Sequence, residues 1–140
     1  MIRRYLFMLA LTFILTACST NQTITTGATD DRLSPCPTSP NCVSSLSEDE
    51  SHYVAPLTYK ATPEEAREKL ISIIKSMKRS EIVKAEMNYI HATFKSALFR
   101  FVDDVEFSFD DQRKVIDVRS ASRIGYSDLG VNRKRVEEIR

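Results

Sequence analysis

Glycine is scarce in this chain, with three residues in 140, and two of them, Gly125 and Gly130, stand close together near the C-terminus. Turns that need a positive φ are therefore concentrated at one corner. Histidine is scarcer still: His52 and His91 have no paired spacing, and with the cysteines they form no ligand pattern, so no metal site is expected. The cysteines, Cys18, Cys36 and Cys42, contain no Cys-x-x-Cys pair, which argues against a redox-active dithiol. No apolar run approaches the roughly 20 residues that a bilayer-crossing helix needs; the N-terminal LFMLALTFIL has ten. Charge of one sign is not in excess either, with 20 Lys+Arg against 19 Asp+Glu. A near-neutral total argues against nucleic acid or another polyanion as partner and leaves any electrostatic function to local patches. There is no internal repeat, no catalytic constellation, and no motif that calls for a cofactor.

What is present begins with an export address. Arg3 and Arg4 precede the ten-residue apolar run, a charged region followed by a short hydrophobic one. The next residues, Leu15-Thr16-Ala17-Cys18, resemble the lipobox of bacterial lipoproteins. That resemblance implies a signal peptide over residues 1–17 and a Cys18 thiol that takes a diacylglycerol, becoming the acylated N-terminus. Several acyl chains on one residue meet the need for more than one chain in stable anchoring. Ser19 stands where an aspartate would signal inner-membrane retention, so the resemblance implies an outer-membrane protein facing the periplasm. With Arg3 and Arg4 removed, 18 cations face 19 acids, a net charge of −1.

Residues 18–50 are rich in Ser, Thr, Asn, Asp and Pro and have few large apolar groups. Such a segment buries too little surface to offset the entropy of ordering it, and is expected to be a flexible tether. Near its end CPTSPNC holds Cys36 and Cys42, which in an oxidising compartment have one intramolecular pairing; a structural disulfide is expected.

Residues 51–140 suffice for one small core. HYVAPLTY, with Pro56, reads as an edge strand. Thr62-Pro63-Glu64-Glu65 is a capping box with proline at the first helical position. Ala66, Leu70, Ile73, Ile74 and Met77 then share one helix face, while Lys75, Lys78 and Arg79 suit its negative end. Four strand candidates follow: EIVKAEM, YIHATFKS, LFRFVDDVEFSFD and KVIDVRSAS, with turns at Asn88 and Asp111-Gln112-Arg113. The expected fold is α+β: a four- or five-stranded antiparallel sheet covered on one face by the amphipathic helix, with a short C-terminal helix. Period-two reading puts Ile90, Ala92, Phe94, Phe99, Phe101, Val105, Phe107, Phe109, Ile116 and Val118 toward the helix. The other face, with His91, Thr93, Lys95, Arg100, Asp104, Glu106, Asp117 and Arg119, is expected to be solvated. Asp103 falls among the phenylalanines. It needs either a bulge at Asp103-Asp104 or a partner such as Arg119 or Arg123.

Three stretches, CPTSPNCVSS, LFRFVDDVEFSFD and RSASRIGYSDLGVNRKRVEEIR, together resemble the bacterial and plastid DUF1499 family, a domain of unknown function. The resemblance runs from about Leu33 to the end and brings no activity, cofactor or catalytic residue with it.

The last stretch contains the candidate site. Arg119, Arg123 and Arg133, with Ser120, Ser122 and Tyr126 as hydrogen-bond donors and a helix N-terminus, are residue types that hold a phosphate or carboxylate. The alternative is internal pairing with Asp103, Asp104, Glu106 and Asp128. Leu129, Val136 and Ile139 suggest a helix from Ser127 or Asp128; a start after Asn132 would instead crowd Arg133, Lys134 and Arg135 at its positive end. Three functional readings follow: an envelope interaction or accessory module, a binder of a small anionic ligand, and a hydrolase using a serine with His52 or His91 and an aspartate.

Overall fold

The structure, a computed structural model, describes residues 33–140. The signal segment 1–17, Cys18 and the first part of the tether lie outside the described residues.

Helix α1, Pro63–Ser76, starts where the capping box puts it: Thr62 accepts from the Glu65 amide and Glu65 accepts from the Thr62 amide. Its carbonyl end is closed by the strand that follows, since Ser80 Oγ donates to the carbonyls of Ile74 (2.6 Å) and Met77 (2.9 Å). The meander β3 (Ser80–Ala85), β4 (Tyr89–Lys95), β5 (Val102–Asp110) and β6 (Val115–Ser122) is antiparallel throughout. Helix α2, Val131–Ile139, ends the chain.

The sheet has six strands, not four or five. The unexpected one is β1 (Cys42–Ser44), which pairs with residues 119–121 on the free edge of β6; β2 (Leu57–Thr58), from the expected edge strand, pairs with residues 115–116 of the same edge. HYVAPLTY yields only the two residues of β2. β1 lies inside the expected tether, where all three of its residues are buried. Its apolar content is too small to mark it, and its partner is almost 80 residues away in sequence. The gain comes from main-chain hydrogen bonds that complete an otherwise open edge.

One core cluster unites Leu70 and Ile74 of α1, Ile90, Ala92 and Phe94 of β4, Val105 and Phe107 of β5, Ile116 and Val118 of β6, and Val136 and Ile139 of α2. Phe107 is fully buried, a side chain whose removal from water contributes roughly 2–3 kcal/mol. Phe99 and Phe101 are not in the core. β5 begins at Val102, so both sit on the hairpin that precedes it, and both are exposed.

The other sheet face departs from expectation more fully. Tyr89, Thr93, Asp104, Glu106, Asp117 and Arg119 are buried there. The bulge is also elsewhere, in β3 between Ile82 and Lys84, while Asp103 and Asp104 stay in regular register opposite Phe94 and Thr93.

Candidate functional site

Strand alternation sends Asp103 and Asp104 to opposite faces, and each anchors a polar network of its own. On the helical face, Asp103 is buried and accepts from Arg135 Nη2 at 2.5 Å, rather than from Arg119 or Arg123. Arg135 Nη1 continues to Asn132 Oδ1 (2.7 Å) and Ser120 Oγ (3.1 Å), and its guanidinium lies over the Phe94 ring, 4.8 Å from the centroid. Asn132 Nδ2 donates to the Asn41 carbonyl (3.0 Å), Ser122 Oγ (3.0 Å) and Asp128 Oδ2 (2.8 Å). These contacts join α2, β6 and the segment before β1 with every member satisfied, which specifies one docking of the helix.

On the opposite face the strands bring two carboxylates side by side with two arginines. Glu106 accepts Tyr89 Oη at 2.6 Å and Arg119 Nη1 at 2.9 Å. Asp104 accepts Arg123 through two nitrogens, Nε at 2.7 Å and Nη2 at 2.9 Å, and lies 2.7 Å from His91 Nε2. Burial alone would raise the Asp104 carboxyl, but the hydrogen bonds from Arg123 and then His91 outweigh it and hold the group down at about 2. An ionised carboxylate only accepts, so His91 Nε2 carries the proton in that contact. Burial and then the Glu106 hydrogen bond push the Tyr89 hydroxyl far above the ordinary tyrosine range, so Tyr89 is a fixed donor. Arg123 is shifted upward by its Asp104 bonds.

A cleft of about 620 Å³ opens over this pair, lined on one side by Asp104, Arg119 and Arg123 and on the other by Ser34, Pro35, Cys36, Pro37, Ser39 and Asn41. The 34–41 segment is held as a strap. Cys36 and Cys42 are joined in a disulfide, and Asn41 Nδ2 donates to the carbonyls of Gly125 (2.6 Å) and Ser122 (3.4 Å). Gly125, at φ 91°, makes the turn that presents its carbonyl. Among the described residues Arg119 Nε is the one buried side-chain nitrogen or oxygen without a hydrogen-bond partner. An N–H left in that state costs about 1–3 kcal/mol, more for a charged group. Arg123, 44% exposed along its side chain, brings its free edge to the same cleft.

Of the six candidate residues, Arg119 and Arg123 come together. Ser122 lines the same cleft while its hydroxyl accepts from Asn132 and its carbonyl from Asn41 of the strap, whereas Ser120 bonds to Asn132 on the other face. Tyr126 is exposed, and Arg133 donates to the carbonyls of Tyr53 (2.6 Å) and Ser51 (2.9 Å). His52 donates from Nδ1 to the Cys42 carbonyl (2.8 Å) and His91 serves Asp104, so each imidazole already has a structural task. Among the described residues no group of three or more His, Cys, Asp or Glu side chains is placed to hold a metal ion. Asn132 and Arg135 escaped sequence reasoning, although they share the helix face of Val136 and Ile139; extending that face back one turn would have found them.

A family model described as a protein of unknown function, DUF1499, matches residues 32–140. No curated protein and no solved structure matches the chain.

Proposed function

The chain belongs to the DUF1499 family, and we propose that it is a lipid-anchored cell-envelope protein whose domain binds a small anionic ligand in the cleft beside Arg119 and Arg123. The observation that carries this reading is Arg119 Nε, a buried donor without a partner in a residue that lines an open cleft. Internal pairing accounts for one edge of each arginine, through Glu106 and Asp104. What is left over is donor capacity alone, and donors select a ligand rich in acceptor oxygens, a carboxylate or phosphate. Both protein carboxylates are already neutralised, so an incoming anion meets no bare negative charge. The anchor rests on Leu15-Thr16-Ala17-Cys18, with the outer membrane facing the periplasm as the destination implied by Ser19.

The test uses the full-length protein extracted from membranes in detergent. Thermal unfolding is followed against rising inorganic phosphate and, separately, succinate. A ligand at one hundred times its dissociation constant stabilises by about 2.7 kcal/mol, several degrees for a domain of this size. The rise is expected in the wild type, and is expected to vanish in Arg123→Gln and in Arg119→Lys, which keeps the charge but removes the Nε donor. A wild type insensitive to both anions, or variants that respond as the wild type does, would refute the site. Intact mass of the same sample reads the anchor: acyl chains on Cys18, lost in Cys18→Ser, or an unmodified chain that refutes that part.

A further inference from the structure

The hairpin between β4 and β5 exposes what a domain of this size normally hides. Leu98 is 78% exposed, Phe99 69% and Phe101 46%. The two phenylalanine rings stack on each other, 5.5 Å apart at 21°, and no element among the described residues covers them. The tip is ordered: the Ser96 amide donates to the Phe101 carbonyl, the Phe101 amide donates to Ser96 Oγ, both at 2.9 Å, and Arg100 turns the chain at φ 57°. The apolar side chains are therefore held outward by a closed loop, at an end of the sheet where Ile124 is exposed as well.

Beside this tip, on the helical face, runs a groove of about 760 Å³ to which Lys78, Arg79, Lys95, Lys134 and Arg135 contribute against the single carboxylate of Glu138. Arg135 is committed to Asp103, and Lys95 has only Glu81 at 3.9 Å. Among the described residues Lys78, Arg79 and Lys134 form no salt bridge. In a chain with near-equal numbers of acids and bases, this cationic excess is local.

We propose that this end of the domain docks on an anionic lipid surface, with Leu98, Phe99 and Phe101 entering the headgroup–acyl boundary and the cations of the groove meeting lipid headgroups. Apolar residues at a tip with lysine and arginine beside them are the combination that interfacial binding rewards. An apolar protein partner would be served by the aromatics alone; the cations of the adjoining groove select the membrane. The surface is independent of the arginine cleft, which lies on the opposite face of the sheet, and of any lipid on Cys18.

The sequence supplies a clean probe, because it contains no tryptophan. Phe99→Trp makes the tip the only indole in the full-length protein, and Met87→Trp places one at the exposed turn at the other end of β4. Each variant is mixed with vesicles of phosphatidylcholine and phosphatidylglycerol (3:1), and with vesicles of phosphatidylcholine alone, both containing brominated acyl chains. The Phe99→Trp emission is expected to shift to the blue and to be quenched on the anionic vesicles, while the Met87→Trp emission stays as in buffer. Adding Lys78→Gln and Lys134→Gln to Phe99→Trp is expected to weaken that response about tenfold or more. An acylated Cys18 would hold every variant at the vesicle, so the local quenching isolates the tip. A Phe99→Trp emission unchanged on both vesicles overturns the proposal and leaves the patch to a protein partner; equal quenching of both indoles overturns it as non-specific adsorption.

Discussion

Asp104 gathers more of the site than any other residue, since Arg123 and His91 both converge on its buried carboxylate. Its pKa falls from an ordinary 3.8 to about 2, a shift that belongs to the folded state only. The ionised form is favoured by folding, so the stabilisation is complete above about pH 4 and drains away as the pH falls toward 2. It is on the order of 2 kcal/mol. Asp104→Asn should lose about that much at neutral pH, and its loss of stability between pH 4 and pH 2 should be shallower than the wild type's. Urea unfolding midpoints at pH 7, 4 and 2.5 measure both effects; parallel pH profiles for the two proteins would remove Asp104 from that role. At this scale the sequence signalled the problem better than the solution. Asp103 was legible as a carboxylate among phenylalanines, because alternation is a local rule. Its partner was not, because Arg135 sits on a helix whose register rested on an apolar stripe that included Leu129, which is exposed and outside the helix.

Helix α2 illustrates how an element can break a rule of charge placement and still be stable. Gly130 at φ 79° is its N-cap and supplies no side chain, and Arg133 and Lys134 lie in the first turn, where the dipole is positive. Asp128 compensates from before the cap: Oδ1 accepts from the Gly130 amide at 3.0 Å and Oδ2 from the Asn132 amide at 2.8 Å. One carboxylate thus satisfies two amides and places a negative charge at the positive end. Asp128→Ala should cost about 1–2 kcal/mol, the upper range for a cap, whereas Asp128→Asn, which retains an acceptor oxygen, should cost less. Far-UV circular dichroism with chemical unfolding measures the pair; equal losses would mean that charge, not hydrogen bonding, sets the cap. The two helices differ in how readable they were for this reason. The signals for α1 lie within four consecutive residues, Thr62 to Glu65, whereas the cap of α2 is a loop residue whose part depends on where Gly125 and Gly130 turn the chain.

At the scale of the whole molecule, β6 is the hub: it takes β5 along one edge and divides the other between β1 and β2. Both strands before α1 among the described residues are therefore organised by a strand that comes late in the chain, and no local pattern can announce such pairing. The disulfide spans six positions between the strap and β1, tying the cleft's wall to the sheet. Closing so short a loop restricts the unfolded chain by about 2 kcal/mol, and its larger consequence is positional. Cys36→Ser should lower the unfolding free energy by about that amount and loosen Ser34 to Pro37, which wall the cleft but not the cationic groove. The two proposed sites should then separate. The response to phosphate or succinate should weaken, while the quenching of Phe99→Trp on anionic vesicles should persist in the Cys36→Ser background. Thermal shift and bromolipid quenching on one sample read both. If the anion response survives intact, the strap is not part of the site and Arg119 and Arg123 hold the ligand from the sheet alone. If the quenching is lost as well, the strap supports the whole sheet end, and the two surfaces are one cooperative unit.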